Sequence, residues 1–165
     1  GYHQIETLYS EDYGTIRAMA RGVCEPTSVQ SMHLELLNAV EFEVIHGKVM
    51  PIISSAVMSR QHLGVKNSLL KLAAVQFFTE VLDKIAFENE PDVHLWEFLN
   101  TMLIDFDAAA HSEILPLFRK HQAGFLKVLG YAPQIELRHP ALDDFFGHIV
   151  GRKISSLNFL DQVLE

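Results

Sequence analysis

The chain has 165 residues and is 48% hydrophobic, enough for one or two small folded domains and too apolar for a disordered chain. Its formal net charge of −8 counts against strong nonspecific binding of nucleic acid by the surface as a whole, though not against a local basic patch. Charges break every apolar run well short of ~18 residues, so no membrane-spanning helix is predicted, and the single cysteine, Cys24, excludes an internal disulfide and a cysteine zinc cluster. The first residues are polar and aromatic, so no signal peptide is expected. A reducing cytoplasm is the simplest setting.

The first third reads as β structure. Ile5, Thr7 and Tyr9 alternate with Glu6 and Leu8, and a turn follows at Asp12-Tyr13-Gly14. Ile16, Ala18 and Ala20 then alternate with Arg17, Met19 and Arg21, and Val40, Phe42 and Val44 with Glu41 and Glu43. Period-two alternation is the mark of half-buried strands. His46-Gly47-Lys48 separates the third strand from a fourth at Val49 to Ile53, and Pro51 predicts that this fourth strand lies at an edge or bulge. Several short strands suit a small barrel or an open sheet.

From about Arg60 the period changes to 3.6. Leu70, Ala74, Phe77, Val81 and Ile85 share one helix face, and Leu95, Leu99, Met102 and Phe106 share another, with Asn89 or Asp92 as cap and Pro91 in the first turn. A third helix carries the stripe Leu115, Phe118, Gln122, Phe125 and Leu129, capped by Ser112 and made irregular by Pro116. It stops at Gly130, with Pro133 just beyond. The segment Gln134 to Pro140 reads as a loop. A helical tail follows, with Ser155 or Ser156 as cap and Leu157, Leu160 and Leu164 as its stripe.

Two groups of residues suggest binding. Arg17 and Arg21 fall at i and i+4 of a strand with Met19 between them, which puts all three on one face. Two guanidiniums about 13 Å apart, at ~3.3 Å per residue, match two phosphates of a nucleic-acid backbone, and Met19 would meet a base or sugar. The plain alternative is a solvated strand face. Tyr2, Tyr9 and Tyr13 offer rings for stacking or for packing. A second basic group, Arg119, Lys120, His121 and Lys127, lies on the third helix, and Lys120 and Lys127 share a face. Against these stand clear exclusions. The nine histidines form no pair at i, i+3 or i+4, so no metal site is predicted. No glycine-rich phosphate loop, nucleophile elbow or HExxH appears, so neither an enzyme nor a cofactor is predicted.

Tyr13-Gly14, Ile16-Arg17, Ala20-Arg21-Gly22 and Leu129-Gly130-Tyr131-Ala132-Pro133 follow one another in the order and spacing of a known pattern. The chain resembles the RecO family of bacterial recombination mediators over nearly its whole length. The resemblance implies an α+β protein, with an incomplete OB-like barrel over 1–59 and an all-α domain over 60–165. It also implies that a strand preceding Ile5 to Tyr9 is missing from the sequence. The implied role is noncovalent: holding single-stranded DNA, annealing strands and assisting recombinase loading together with RecR. Arg17, Arg21, Met19, Tyr13 and Lys48 are the DNA-binding candidates it points to. The helical domain would hold the acidic C-terminal tail of single-stranded-DNA-binding protein (SSB), with Arg119, Lys120 and Lys127 beside Phe118 and Leu126. A cytoplasmic, nucleoid-associated location follows from the same resemblance.

The sequence also departs from that pattern. The loop after Gly22 is normally basic, but here it is Val23-Cys24-Glu25-Pro26-Thr27-Ser28, and the region of the family's cysteine zinc motif, Gln134 to Pro140, has no cysteine. Each lost phosphate contact lowers affinity. An acidic protein-interaction adaptor that keeps the fold without DNA binding therefore stands as the alternative. An unrelated helical enzyme or regulator is a third.

Overall fold

The structure, a computed structural model, describes residues 3–21, 36–131 and 141–165. Tyr2, the Val23–Ser28 loop with Cys24, and the Gln134–Pro140 loop lie outside the described residues. The chain divides into two units, Gly1–His62 with Phe87–Pro91, and Leu63–Ala86 with Asp92–Glu165. The first is an open sheet and the second is helical, an α+β arrangement with an incomplete barrel.

The sheet unit contains β1 (His3–Ser10), β2 (Gly14–Arg21), β3 (Ala39–Ile45) and β4 (Ile52–Arg60) in the order β1-β2-β4-β3. β2 and β4 run parallel and the other pairs antiparallel. β1 and β2 pair from His3 opposite Arg21 to Ser10 opposite Gly14, leaving a three-residue turn, Glu11-Asp12-Tyr13. Ser10 closes the turn: its hydroxyl accepts from the Tyr13 N–H at 3.0 Å and donates to the Gly14 carbonyl at 3.2 Å. Gly14 has φ +65°, and a Cβ there would collide with the Glu90 carbonyl, so both conformation and space demand glycine.

β4 corrects the expected fourth strand. It begins at Ile52 and runs to Arg60, while Val49 sits in the preceding bend, 89% exposed. It is an interior strand between β2 and β3, not an edge. Pro51 precedes it and needs no ladder donor there. Its carbonyl accepts from the Met19 N–H at 2.8 Å. Two register shifts against β3 leave Ser54 and Ser59 unpaired. Each is a bulge, and each serine hydroxyl donates to a partner-strand carbonyl, Ser54 to Glu43 at 3.2 Å and Ser59 to Ala39 at 3.0 Å. The bulge at Ser54 is why Ile53 and Ala56, three residues apart, both face the core.

The helical unit comprises α1 (Leu63–Lys66), α2 (Leu69–Ile85), α3 (Val93–Ala108), α4 (Ile114–Val128), α5 (Ala141–Val150) and α6 (Ser155–Leu164). Ser68 caps α2 by accepting from the Lys71 N–H. Asp92 rather than Asn89 caps α3, accepting from the His94 and Leu95 N–H groups at 3.0 and 3.1 Å. α4 is entered through a 3₁₀ turn at His111–Glu113, which absorbs Ser112, so Ser112 is not its cap. Pro116 falls in the first turn, where a missing N–H costs nothing. The buried stripe of α4 starts at Ile114, and Leu115 is 38% exposed.

α6 is capped from a distance. Glu80 on α2 accepts from the Ser155 N–H at 2.9 Å, the Ser155 hydroxyl at 2.8 Å and the Ser156 N–H at 2.8 Å, supplying the carboxylate that a local cap would otherwise provide. Neither serine is itself the cap, which is Ile154. Leu160 is buried while Leu164, expected on the buried stripe, is 44% exposed.

Candidate functional site

β2 alternates without interruption. Ile16, Ala18 and Ala20 point to the buried face, and Arg17, Met19 and Arg21 to the open one, with both arginines exposed. Opposite them on β1 stand Thr7, Ile5 and His3. The open face also carries a feature the sequence did not announce. Ile5 pairs with Met19, Met19 with Ile52, and Ile52 with Ile45, so one apolar row crosses all four strands. Ile5 is 48% and Ile45 53% exposed. The row passes between Arg17 and Arg21. Tyr13 stands exposed at the β1–β2 turn, and Lys48 is exposed in the loop joining Ile45 to Ile52. Chemically this is a surface with cations on either side of an apolar strip. It suits a ligand with spaced negative charges and flat apolar faces.

The edge of β2 beside this face is shared. β4 pairs with β2 only at Met19 and Ala20. Further down, the segment Phe87–Pro91 takes the free edge: Thr15 and Glu88 form a parallel bridge, and the Asn89 N–H donates to the Thr15 carbonyl at 3.0 Å. Asn89 adopts φ 60°, a left-handed conformation that asparagine tolerates. The result is that the Glu88 carboxylate lies 4.0 Å from the Arg17 guanidinium, both side chains about half exposed.

The helical candidates separate. Phe118 is fully buried, its ring edge-on to Phe77 at 5.2 Å and to Phe78 at 5.7 Å, and Leu126 is 1% exposed. Both belong to the core, where the apolar stripe of α4 puts them, and neither is on the surface. Arg119 donates to Asp143 at 2.7 Å and to the side-chain amide oxygen of Gln122 at 2.8 Å, and the Gln122 amide nitrogen donates to the same Asp143 oxygen at 2.7 Å. This triangle satisfies a fully buried glutamine and ties α4 to α5. Its guanidinium is therefore engaged within the fold. Lys120 and Lys127 remain exposed. Two acidic residues of α3, Asp105 and Asp107, are also engaged. Asp105 lies 3.0 Å from the buried His121 imidazole, and the Asp107 carboxylate accepts from the Val65 N–H. Burial pushes His121 below its usual pKa, and the Asp105 charge only partly restores it, so at neutral pH the uncharged ring is the form that bonds Asp105.

A shallow, open groove of about 690 Å³ runs along α5 and α6, lined by Asp143, Asp144, His148, Arg152, Lys153 and Asp161 among others. Its acids and bases are mixed and select no ligand class. Among the described residues, no three His, Cys, Asp or Glu side chains are grouped to hold a metal ion, and no helix is long and apolar enough to cross a membrane.

Residues 66–137 match the family model of the recombination protein O C terminal. Over 135 residues the chain is 28% identical to the DNA repair protein RecO of Acetivibrio thermocellus, covering 80% of this chain and 52% of that protein. The corresponding proteins of Pelotomaculum thermopropionicum and Synechococcus elongatus are each 27% identical, over 133 and 128 residues. Those alignments cover 81% and 78% of this chain and 51% and 48% of the relatives. The chain is thus similar to RecO proteins over about four fifths of its length. It spans about half the length of the RecO relatives it matches.

The RecO resemblance at Leu129-Gly130-Tyr131 has a structural cause. Gly130 has φ +86°, its N–H donates to the Lys127 carbonyl at 3.1 Å, and the Tyr131 N–H donates to the Leu126 carbonyl at 2.8 Å. This closes α4 with a Schellman cap, which asks for glycine. Tyr131 then meets Phe145 of α5 edge-on at 5.8 Å. Glu88 and the apolar row escaped the sequence reading. The row is a register property of four strands, and Glu88 reaches Arg17 from a connection between two helices.

Proposed function

We propose that this chain acts as a RecO-type protein, taking part in DNA repair by holding single-stranded DNA on the open face of its sheet. Arg17 and Arg21 contact successive phosphates, Met19 and the apolar row receive bases or sugars, and Tyr13 and Lys48 extend the surface at its margins. The single observation that carries the reading is the arrangement of two exposed arginines on either side of a partly exposed apolar strip. The family's name for its members, DNA repair protein, agrees with it. Annealing of strands, cooperation with RecR and a nucleoid-associated location belong to the same proposal. So does an SSB-tail contact, for which Lys120 and Lys127 are the exposed cations and Arg119, Phe118 and Leu126 are not available in the packing described. No bond is made or broken in this role.

The acidic net charge and the Glu88 carboxylate beside Arg17 favour a second reading, an adaptor that binds protein rather than DNA. Fluorescence anisotropy of a labelled single-stranded oligonucleotide at two salt concentrations separates the two. DNA binding through phosphates weakens steeply as salt rises, and the Arg17→Ala, Arg21→Ala double variant binds about tenfold or more weakly. Binding that ignores both salt and the two arginines overturns the DNA reading and leaves the adaptor.

A further inference from the structure

We infer that Glu88 is an electrostatic brake on the arginine strand, and that it sets the affinity of the open sheet face for a phosphate-bearing ligand. The inference rests on the nucleic-acid reading above and adds to it a residue that lowers binding. Three observations carry it. The segment Phe87–Pro91 is held on the edge of β2 by main-chain groups, through the Thr15–Glu88 bridge and the bond from the Asn89 N–H to the Thr15 carbonyl. Its far end is fitted against Gly14, where the Glu90 carbonyl occupies the space of the missing Cβ. The Glu88 side chain is thereby delivered to Arg17 at 4.0 Å, on the strand that carries both candidate phosphate contacts.

A carboxylate beside a guanidinium offers it what a phosphate would offer, a negative charge, here at ion-pairing distance. An incoming phosphate must displace that carboxylate and then bear its repulsion at close range. The pair is half exposed and long, so as a stabilising ion pair it is worth little. Its consequence is for ligands. Because main-chain bonds hold the segment, neutralising Glu88 removes the charge without removing the anchor.

The test uses the full chain and a fluorescein-labelled thymidine oligonucleotide at low salt, with Glu88→Gln, Arg17→Ala and the double variant. Glu88→Gln is expected to tighten binding about three- to fivefold, the range that an exposed pair of this kind supports. Arg17→Ala weakens binding, and in its background Glu88→Gln gains far less. If Arg17→Ala weakens binding while Glu88→Gln equals the parent protein, the brake is overturned and the DNA reading stands. An equal gain with and without Arg17 also overturns it, since that is a general effect of net charge. No response to either residue removes both the brake and the role of Arg17. Oligonucleotide binding that appears only in Glu88→Gln supports the brake.

Discussion

The two units of this chain are held by different means. In the helical unit Phe77, Phe78, Phe106, Phe118, Phe125 and Phe146 are all fully buried, and Phe77 meets Phe78, Phe118 and Phe146 edge-on at 4.9 to 5.2 Å. In the sheet unit the buried cluster is Ala18, Ala20, Ile53 and Ala56, with Leu8, Phe42 and Val44 only partly covered. Aromatic rings bury large areas and hold one another in fixed geometry. Alanines bury little and let neighbouring backbone come close. The helical unit therefore has a deep core of its own, and a few polar side chains, Arg119, Gln122, Asp143 and Glu80 among them, tie its helices together. Among the described residues the sheet unit has a thinner core, and one face of β2 keeps both its arginines exposed.

The largest effect that sharpens this contrast is in the aromatic core. Phe118→Ala removes a fully buried ring and is expected to cost about 3–5 kcal/mol. Urea unfolding followed by far-ultraviolet circular dichroism reads it. The same variant decides the role of Phe118. A loss of stability that small would be typical of a surface residue, below about 1 kcal/mol, returns Phe118 to the list of peptide-binding candidates. A large one assigns it to the core.

A smaller effect concerns the carboxylate that caps α6. Burial by itself raises the Glu80 carboxyl, but hydrogen bonds from Ser156 and Ser155 outweigh it and hold the group down at about 2, against an ordinary 4.5. A depressed carboxyl stabilises the fold above the ordinary value, and that contribution is lost as pH falls from about 4.5 through about 2. Glu80→Gln is expected to cost on the order of 1 kcal/mol at pH 7, the usual worth of a helix cap. The difference from the parent protein narrows as pH drops below 4.5. Thermal melts at pH 7 and pH 3 check both statements. A gap as wide at pH 3 as at pH 7 would show that shape rather than charge does the capping.

These cases also mark what was legible in the sequence. β2 was readable because period two runs through it unbroken, and that alone assigned Arg17, Met19 and Arg21 to one face. The helices were readable from their stripes, and Gly130 from its place after the last apolar residue. β4 was misread because Ser54 and Ser59 are bulges, and an inserted residue resets the alternation on which strand reading depends. The cap of α6 was invisible, since Glu80 and Ser155 lie 75 residues apart. Arg119 looked like a surface cation for the same reason. Nothing local announces that Asp143, 24 residues away, will pair with it. Sequence periodicity reports which face a residue occupies. It does not report what waits opposite that face.

The smallest expected effect lies in the thin unit. Glu6 stands on β1 opposite Ala18 and so points to the apolar face of the sheet. Burial raises its carboxyl above the ordinary carboxylate value. A raised carboxyl is a liability when charged, so it weakens the fold at neutral pH, and that penalty fades as pH falls toward 4.5. Glu6→Gln is expected to raise the melting temperature by about 1–2 °C at pH 7 and by nothing measurable near pH 4.5, a size consistent with a residue only partly removed from water. An inward-pointing charge on an outer strand also deters pairing with another chain. The variant should therefore gain stability and lose solubility together, read by melting and by light scattering on the same samples. A gain in stability without any rise in scattering would mean that Glu6 protects no edge.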